Sequence, residues 1–182
     1  SMIENYMSWE GGVDLVGLCN GALEPNVIIH IARMVHTPVG SAPAGMIWLQ
    51  TDPNGAPELM GFVSPDAEVG GYFGPKIFGG TPFENAPVLD ARISVSEDAG
   101  ALTATIEVEG FQIVCSLSSF GKLAAVDRNP GEMTPFFQQV LEAESNFATV
   151  TVDGNPLEVT IPEKGLSGGS GAVSTPAGIY SR

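Results

Sequence analysis

Two neighbouring segments alternate strictly between apolar and polar side chains, and this pattern constrains the fold more than any other feature. In residues 89–95 and again in residues 101–108, Leu, Ala, Ile and Val occupy every second position. A period of two buries one face of a β-strand and exposes the other. The short polar turn from Ser96 to Gly100 lies between the segments. The pair therefore predicts an antiparallel hairpin with one buried face.

Further strand-like segments lie on both sides of this hairpin and are separated by turn residues. Asn54-Gly55 and Asp153-Gly154 are strong hairpin signals. The chain contains 23 glycines and 14 prolines, a content that disfavours a helical bundle and indicates many turns. We expect the remaining strands at residues 26–35, 46–50, 59–63, 112–117, 147–152, 157–161 and 172–180.

Two short segments carry helix signals instead. Ser64-Pro65 stands before two acidic residues, so Ser64 is expected to cap a helix that Gly70-Gly71 and Gly74-Pro75 end. Thr134-Pro135 is expected to start a second helix over residues 134–143. In that segment Phe136 and Val140, and likewise Phe137 and Leu141, stand four residues apart, which is typical of one helix face. We expect this helix to plug one end of the sheet or to pack outside it.

These elements together predict a fold class of α+β, mainly β. The expected architecture is an antiparallel β-barrel of about eight or nine short strands with one or two short helices. A length of 182 residues fits a single domain over residues 1–182. Within it, residues 2–25 are expected to form a short helix or an arm that acts as a lid, and residues 165–171 a Gly/Ser-rich connection.

The charge balance excludes several classes of partner. Lys and Arg total 7 against 21 Asp and Glu, which gives a formal net charge of −14. Binding to nucleic acid or to an anionic membrane surface needs basic residues, so neither partner is expected. No apolar run approaches the ~20 residues of a membrane-spanning helix. Cys19 and Cys115 are interpreted as reduced thiols buried in the core, which favours a cytoplasmic location. Exposed strand ends leave homo-oligomer formation open.

Motifs for several common chemistries are absent from the sequence. There is no CxxC pair and no phosphate-binding glycine loop. His30 and His36 lie on one predicted strand, and a straight strand would hold them about 20 Å apart, too far to share a metal ion. We therefore expect no metal and no cofactor. His30 is interpreted either as a core histidine or as a residue that points into the barrel.

Lys76 is the most distinctive candidate for catalysis. It stands among glycines, aromatic and aliphatic side chains in Gly70 to Gly80, and no other charged residue occurs in that segment. A poorly solvated amine has a lowered pKa and becomes nucleophilic towards carbonyl groups. The alternative is a lysine whose stem covers apolar surface while its amine reaches water. The acidity of the chain opposes a lowered pKa, so burial would have to overcome it.

The segment Glu68-Val69-Gly70-Gly71-Tyr72-Phe73-Gly74-Pro75-Lys76 resembles a motif of the acetoacetate decarboxylase superfamily. The resemblance implies a barrel fold and a lysine Schiff-base enzyme, with Lys76 as the nucleophile. It further implies a lyase without cofactor, such as a decarboxylase, aldolase or dehydratase acting on an oxo acid or related carbonyl. Gln50 and His30 stand nearest to the positions of the family's two active-site glutamates. In this hypothesis His30 carries protons and Tyr72 contacts the substrate.

The alternative hypothesis is a barrel with an apolar cavity and no covalent chemistry. Such a protein would bind a hydrophobic metabolite, or would fold a substrate for cyclisation as small cyclases of natural-product biosynthesis do. A non-catalytic interaction domain also stays open. The residues expected to line the cavity are Phe73, Phe78, Met34, Trp48, Met60 and Phe62.

Overall fold

A computed structural model describes residues 6–81, 83–131, 134–163 and 170–182. Strands dominate it, and the helical part is confined to α1 (Ala67–Gly71) and a π-helical turn at Tyr72–Lys76. The strands are β1 (Met7–Cys19), β2 (Val27–Thr37), β3 (Gly40–Leu49), β4 (Leu59–Ser64), β5 (Val88–Asp98), β6 (Ala101–Val108), β7 (Phe111–Phe120), β8 (Ala124–Arg128), β9 (Phe137–Val152), β10 (Asn155–Leu157), β11 (Val159–Thr160) and β12 (Ala172–Ser181).

Nine of the strands in the described part of the chain close into one sheet. Their order is β9-β12-β1-β2-β3-β4-β5-β6-β7, and β7 pairs again with β9. The fold is therefore mainly β with one short α-helix, as the alternating segments predicted. The expectation of a purely antiparallel sheet is wrong at one place, because β4 and β5 are parallel. A parallel pair needs a long crossover, and residues 65–87, which include α1, supply it.

Apolar side chains form two separate clusters on opposite faces of this sheet. The first cluster fills the interior with inward-facing residues of all nine strands, among them Val13, Ile29, Ile47 and Ile106. The second cluster lies on the other face of β1 to β4, where Met46 and Phe62 meet the segment from Val69 to Phe78. Because successive side chains of a strand point to opposite faces, the same strands supply both clusters.

The segment 65–78 covers that second face, and the N-cap of its helix lies two residues later than the expected Ser64. Asp66 is the N-cap, and its Oδ1 accepts hydrogen bonds from the backbone N–H groups of Glu68 and Val69 at 3.0 and 3.2 Å. Ser64 instead donates to the carbonyl of Pro43. Gly74 rests on the ring of Phe62, where any side chain would overlap the ring. The covering segment therefore depends on a glycine at this close contact.

The predicted helix at residues 134–143 is wrong, because this part of the chain leads into strand β9. Phe137 to Glu144 pair with β12, and residues 138–142 also pair with β8. A spacing of four residues is even, so Phe136 and Val140 fit one face of a strand as well as one face of a helix. The backbone hydrogen bonds of two neighbouring strands decide between the two conformations.

The arm or lid predicted for residues 2–25 is also wrong for the described residues. Met7–Cys19 is strand β1, which pairs with β2 on one side and with β12 on the other. Gly11, with φ +67, interrupts the alternation along the strand and obscured it in the sequence. Residues 2–5 and 165–169 lie outside the described residues. No helix of the described ranges is long and apolar enough to cross a membrane.

Candidate active site

A cavity of about 500 Å³ lies on the second face of the sheet, between the strands and the segments that cover them. Aromatic side chains from three parts of the chain form much of its wall: Trp9, Phe73, Phe78 and Phe136. All four are buried members of the second apolar cluster. The cavity therefore combines a mainly apolar surface with polar side chains from several strands, as small-molecule sites do.

Asp14 and His30 form the central polar pair of this cavity. They are direct cross-strand partners on β1 and β2, so their side chains lie on the same face. The Nδ1 of His30 contacts the Oδ1 of Asp14 in an ion-pair arrangement. Both side chains line the cavity, but that of Asp14 is only 12% exposed, whereas that of His30 is 41% exposed. The imidazole is thus the more accessible member of the pair.

Thr175 and Trp9 hold the other side of the Asp14 carboxylate. The Oγ1 of Thr175 donates to Asp14 Oδ2 at 2.7 Å and accepts from Trp9 Nε1 at 3.2 Å. Gly12 is the register partner of Thr175, and a Cβ at this position would overlap the Thr175 hydroxyl. A glycine on β1 is therefore required for the chain of hydrogen bonds that orients Asp14.

The pKa of His30 is raised above its ordinary value. Burial alone would lower this pKa, but the charge of Asp14 and the hydrogen bond to it outweigh burial. Because a carboxylate accepts at Nδ1, that nitrogen carries the proton in the neutral imidazole. Nε2 then presents a lone pair, and no other described residue forms a hydrogen bond or ion pair with it. The imidazole is thus arranged to take up and release a proton at Nε2.

A second ion pair lines another part of the cavity. Arg128, from β8, donates to both carboxylate oxygens of Glu142 on β9, at 3.3 Å from Nη1 and 3.0 Å from Nη2. The two side chains are 18% and 15% exposed. Such a two-pronged pair satisfies both charges locally and fixes the position of each side chain.

Three of the predicted site residues line this cavity: His30, Phe73 and Phe78. Phe62 stands behind the wall, because it is fully buried and stacks on Phe78 with ring centroids 5.6 Å apart. Neither Met34 nor Tyr72 lines the cavity, and the Tyr72 hydroxyl donates to the carbonyl of Tyr6 at 3.2 Å. The sequence thus identified the aromatic segment that covers the second face of the sheet, but not which of its residues line the cavity.

Trp48 and Gln50 belong to a different, open cleft, which the loop at residues 20–26 and the turn at residues 51–54 border. The Nε2 of Gln50 donates to the carbonyls of Pro53 and Gly55 at 3.3 and 2.8 Å, so the side chain holds this turn in place. Met60 is 38% exposed and lines neither cleft. The structure therefore does not bring Gln50 or Trp48 together with His30.

Lys76 is exposed at the end of the π-helical turn and is not part of the cavity wall. Its apolar neighbours Phe73, Ile77 and Phe78 turn towards the sheet and are buried, which leaves the lysine on the outer side. This placement lacks the desolvation that an activated amine requires. A Schiff base at Lys76 stays a prediction from the motif.

The sequence did not indicate any polar residue of the cavity lining except His30. The missed residues are Asp14, Arg128, Asn129, Thr134, Gln138, Glu142, Ser170, Thr175 and Tyr180. One signal for Asp14 was available, since it is the single acid within the apolar run from Val13 to Val16. A charged residue amid apolar ones on a strand is costly to bury unless it has partners. The partners come from strand register, however, and register cannot be read from one strand alone.

Metal-ligating groups do not converge in the part of the chain that the structure describes. His36 is exposed, with Nδ1 2.8 Å from the Ser41 hydroxyl and Nε2 3.5 Å from a carboxylate oxygen of Glu10. It lies away from the cavity lining that contains His30. His36 therefore offers a useful control for experiments on His30.

No protein-family model matches the chain, and no curated protein matches it. A crystal structure of acetoacetate decarboxylase from Legionella pneumophila is similar, with a TM-score of 0.42 and 8% sequence identity. The match covers 97% of this chain and 86% of that chain. At this TM-score and identity the similarity supports no inference about activity or site residues.

Proposed function

We propose that this protein is a small-molecule enzyme that moves a proton on a mainly apolar substrate, with His30 as the acid–base group. The observation that carries the proposal is the Asp14–His30 pair within a mainly apolar cavity. The Nδ1 of His30 is held by a carboxylate, which leaves Nε2 to face the substrate. Aromatic walls would bind the carbon skeleton and exclude water from the reacting atoms.

The proposed proton transfer follows from which nitrogen of His30 carries a proton and which is free. Neutral His30 takes a proton from the substrate at Nε2, and the imidazolium that forms is stabilised by the adjacent Asp14 carboxylate. The same nitrogen then returns the proton to the substrate or exchanges it with water. Thr175 and Trp9 act as positioning residues, because they orient Asp14 through a chain of hydrogen bonds.

Hydrogen–deuterium exchange into simple ketones tests this proposal, because it follows proton transfer itself and does not need the natural substrate. The protein is incubated in D₂O with cyclohexanone and 2-tetralone, which have acidic protons beside a carbonyl, and deuterium uptake is followed by proton NMR. Wild-type protein should accelerate uptake into at least one probe, and His30→Gln should abolish the acceleration, a loss of about 10²-fold or more. His36→Gln is the matched control and should exchange at the wild-type rate. Equal rates for His30→Gln and wild type, or no acceleration by wild type, would contradict the proposal.

A second candidate function is favoured by the aromatic walls themselves. In that case the cavity binds an apolar molecule, or folds it for a cyclisation of the kind used in natural-product biosynthesis, through shape alone. The observation behind it is that Phe73, Phe78, Trp9 and Phe136 all line the cavity. This function predicts that His30→Gln retains both binding of apolar probes and any turnover, whereas Phe78→Ala loses them.

A further inference from the structure

Resting on the proposed function, we propose that the substrate is a neutral carbonyl compound whose oxygen accepts a hydrogen bond from the Tyr180 hydroxyl. His30 removes the proton from the carbon next to that carbonyl. Tyr180 is then a catalytic residue in contact with the substrate, and the reaction is enolisation, followed by reprotonation at the same or at a conjugated carbon.

The position of Tyr180 supports the assignment. It lies on β12, is only 7% exposed and lines the cavity. Its ring is held by Trp9, with centroids 4.9 Å apart and planes tilted by 33°, and by Phe136, edge-on at 6.4 Å. The two aromatic neighbours hold the ring in place, and the position of its hydroxyl oxygen is therefore fixed.

The Tyr180 hydroxyl has no hydrogen-bond partner among the described residues. Every fully buried side-chain oxygen or nitrogen of those residues has a partner, so this hydroxyl must retain some accessible surface. The cavity is the space that Tyr180 lines. A tyrosine that is more than nine-tenths buried, and whose hydroxyl is left for a ligand, is an incomplete hydrogen-bonding site.

The charge environment keeps this hydroxyl protonated. Burial raises the pKa of Tyr180 well above its ordinary value, and the negative charge of Asp14 raises it further, whereas Arg128 acts in the opposite direction. A neutral phenol donates its proton in a hydrogen bond rather than losing it. The charges of Asp14 and Arg128 both act on the hydroxyl, and both residues line the same cavity as Tyr180.

The same ion pairs indicate a neutral substrate. Asp14 is paired with His30, and Arg128 is paired with Glu142 through both carboxylate oxygens. The described cavity lining therefore offers no unpaired charge to a charged substrate, which would lose its hydration without compensation. Among the polar groups of this lining, His30 Nε2 is free to accept a hydrogen bond and the Tyr180 hydroxyl is free to donate one, and the amide side chains of Asn129 and Gln138 also line the cavity.

The proposed step balances without a co-reactant. The C–H bond next to the carbonyl breaks and its proton moves to His30 Nε2. The electron pair forms a carbon–carbon double bond and converts the carbonyl into an enolate oxygen, and the hydrogen bond from Tyr180 strengthens as negative charge develops there. The imidazolium then returns the proton, so the enzyme ends in its starting state.

The test uses a mimic of the planar, oxygen-bearing intermediate. Binding of 2-naphthol is compared with binding of naphthalene, which has the same shape without the oxygen, by fluorescence titration. Wild-type protein should prefer 2-naphthol about tenfold or more, which is the size of one good hydrogen bond in a dry site. Tyr180→Phe should lose this preference while it binds naphthalene as before, because the ring and its packing remain. Tyr72→Phe, whose hydroxyl lies outside the cavity lining, is the matched control and should keep the preference.

Three results separate this inference from the proposed function. If Tyr180→Phe keeps the wild-type preference for 2-naphthol while His30→Gln abolishes deuterium exchange, the role of Tyr180 is overturned and the proposed function stands. If wild type shows no preference for 2-naphthol, the role of Tyr180 is overturned as well. If wild type binds neither probe and accelerates no exchange, both fail. Thermal unfolding of each variant confirms that it is folded.

Discussion

The two faces of the sheet formed by β1, β2 and β3 differ in what they bury. The inner face carries Val13, Ile29 and Ile47, packed into an interior cluster in which all members are apolar. The outer face carries Asp14, His30 and Met46 from the next positions of the same strands, and it borders the cavity. The difference shows that a strand can stabilise the fold with one set of side chains and form a site with the other.

The interior face should account for most of the stability. Ile47 is only 1% exposed, and Ile47→Ala removes packed methyl groups that the closed sheet cannot replace. We therefore expect the free energy of unfolding to fall by about 2–5 kcal/mol. Met46→Ala, on the cavity face of the adjacent position, should cost less because its side chain borders space that is already empty. Urea unfolding of both variants measures the difference. Equal losses of unfolding free energy at the two positions would contradict the prediction that the interior face contributes more to stability than the cavity face.

The orientation of Asp14 should be sensitive to a single methyl group. Gly12→Ala places a Cβ on the Thr175 hydroxyl, so Thr175 must move and give up its hydrogen bonds to Asp14 and Trp9. We expect a loss of about 1–3 kcal/mol in stability and a reduced rate of deuterium exchange. Gly71→Ala is the matched control, because Gly71 has helical dihedrals and open space around its Cβ position. A Gly12→Ala variant that exchanges deuterium at the wild-type rate would show that Thr175 does not position the Asp14–His30 pair.

The strands whose apolar and polar side chains alternate without a break were predicted correctly. Prediction failed where glycines or a helix-like spacing interfered with that alternation. Residues 101–108 were placed with their observed bounds, because period two and flanking turns agree there. In β1, Gly11 and Gly12 interrupt the apolar pattern, yet they are the residues that let the strand accommodate its neighbours. In β9, side chains four apart fit a helix face equally well, and only pairing with β8 and β12 excludes the helix.

The site was predictable only in part, for a related reason. His30 was identified as a proton carrier that could point into the barrel, but the structure places it on the outer face, since the interior is filled by its neighbours Ile29 and Ile31. Asp14 was one acid among 21 Asp and Glu residues, and its role comes from its register opposite His30. Lys76 attracted attention because its neighbours are apolar. Those neighbours are buried because they cover the sheet, and the turn directs the lysine away from it.

Near neutral pH, stability should depend on pH through His30 on the cavity face. The pKa of His30 is raised in the folded state, so the protonated form stabilises the fold. This contribution is fully present below the unfolded pKa of about 6.5 and is lost as the pH rises through the folded pKa. We expect the effect to be smaller than that of Gly12→Ala, because the imidazole is 41% exposed and water screens the pair. Urea unfolding over this pH window should show a decline for wild type that is reduced in Asp14→Asn and retained in His36→Gln.

The smallest effect is expected at the rim of the cavity face. The guanidinium of Arg182 lies 5.7 Å from the centroid of the Phe136 ring, and Arg182 itself is exposed. An exposed cation–π contact contributes about 0.5–1 kcal/mol. Arg182→Met keeps the apolar stem and removes the charge, so it should lower the free energy of unfolding by no more than this amount. Arg182→Lys should retain part of the contact and lose less. A loss as large as that of Ile47→Ala would show that the cavity face contributes to stability as much as the interior does.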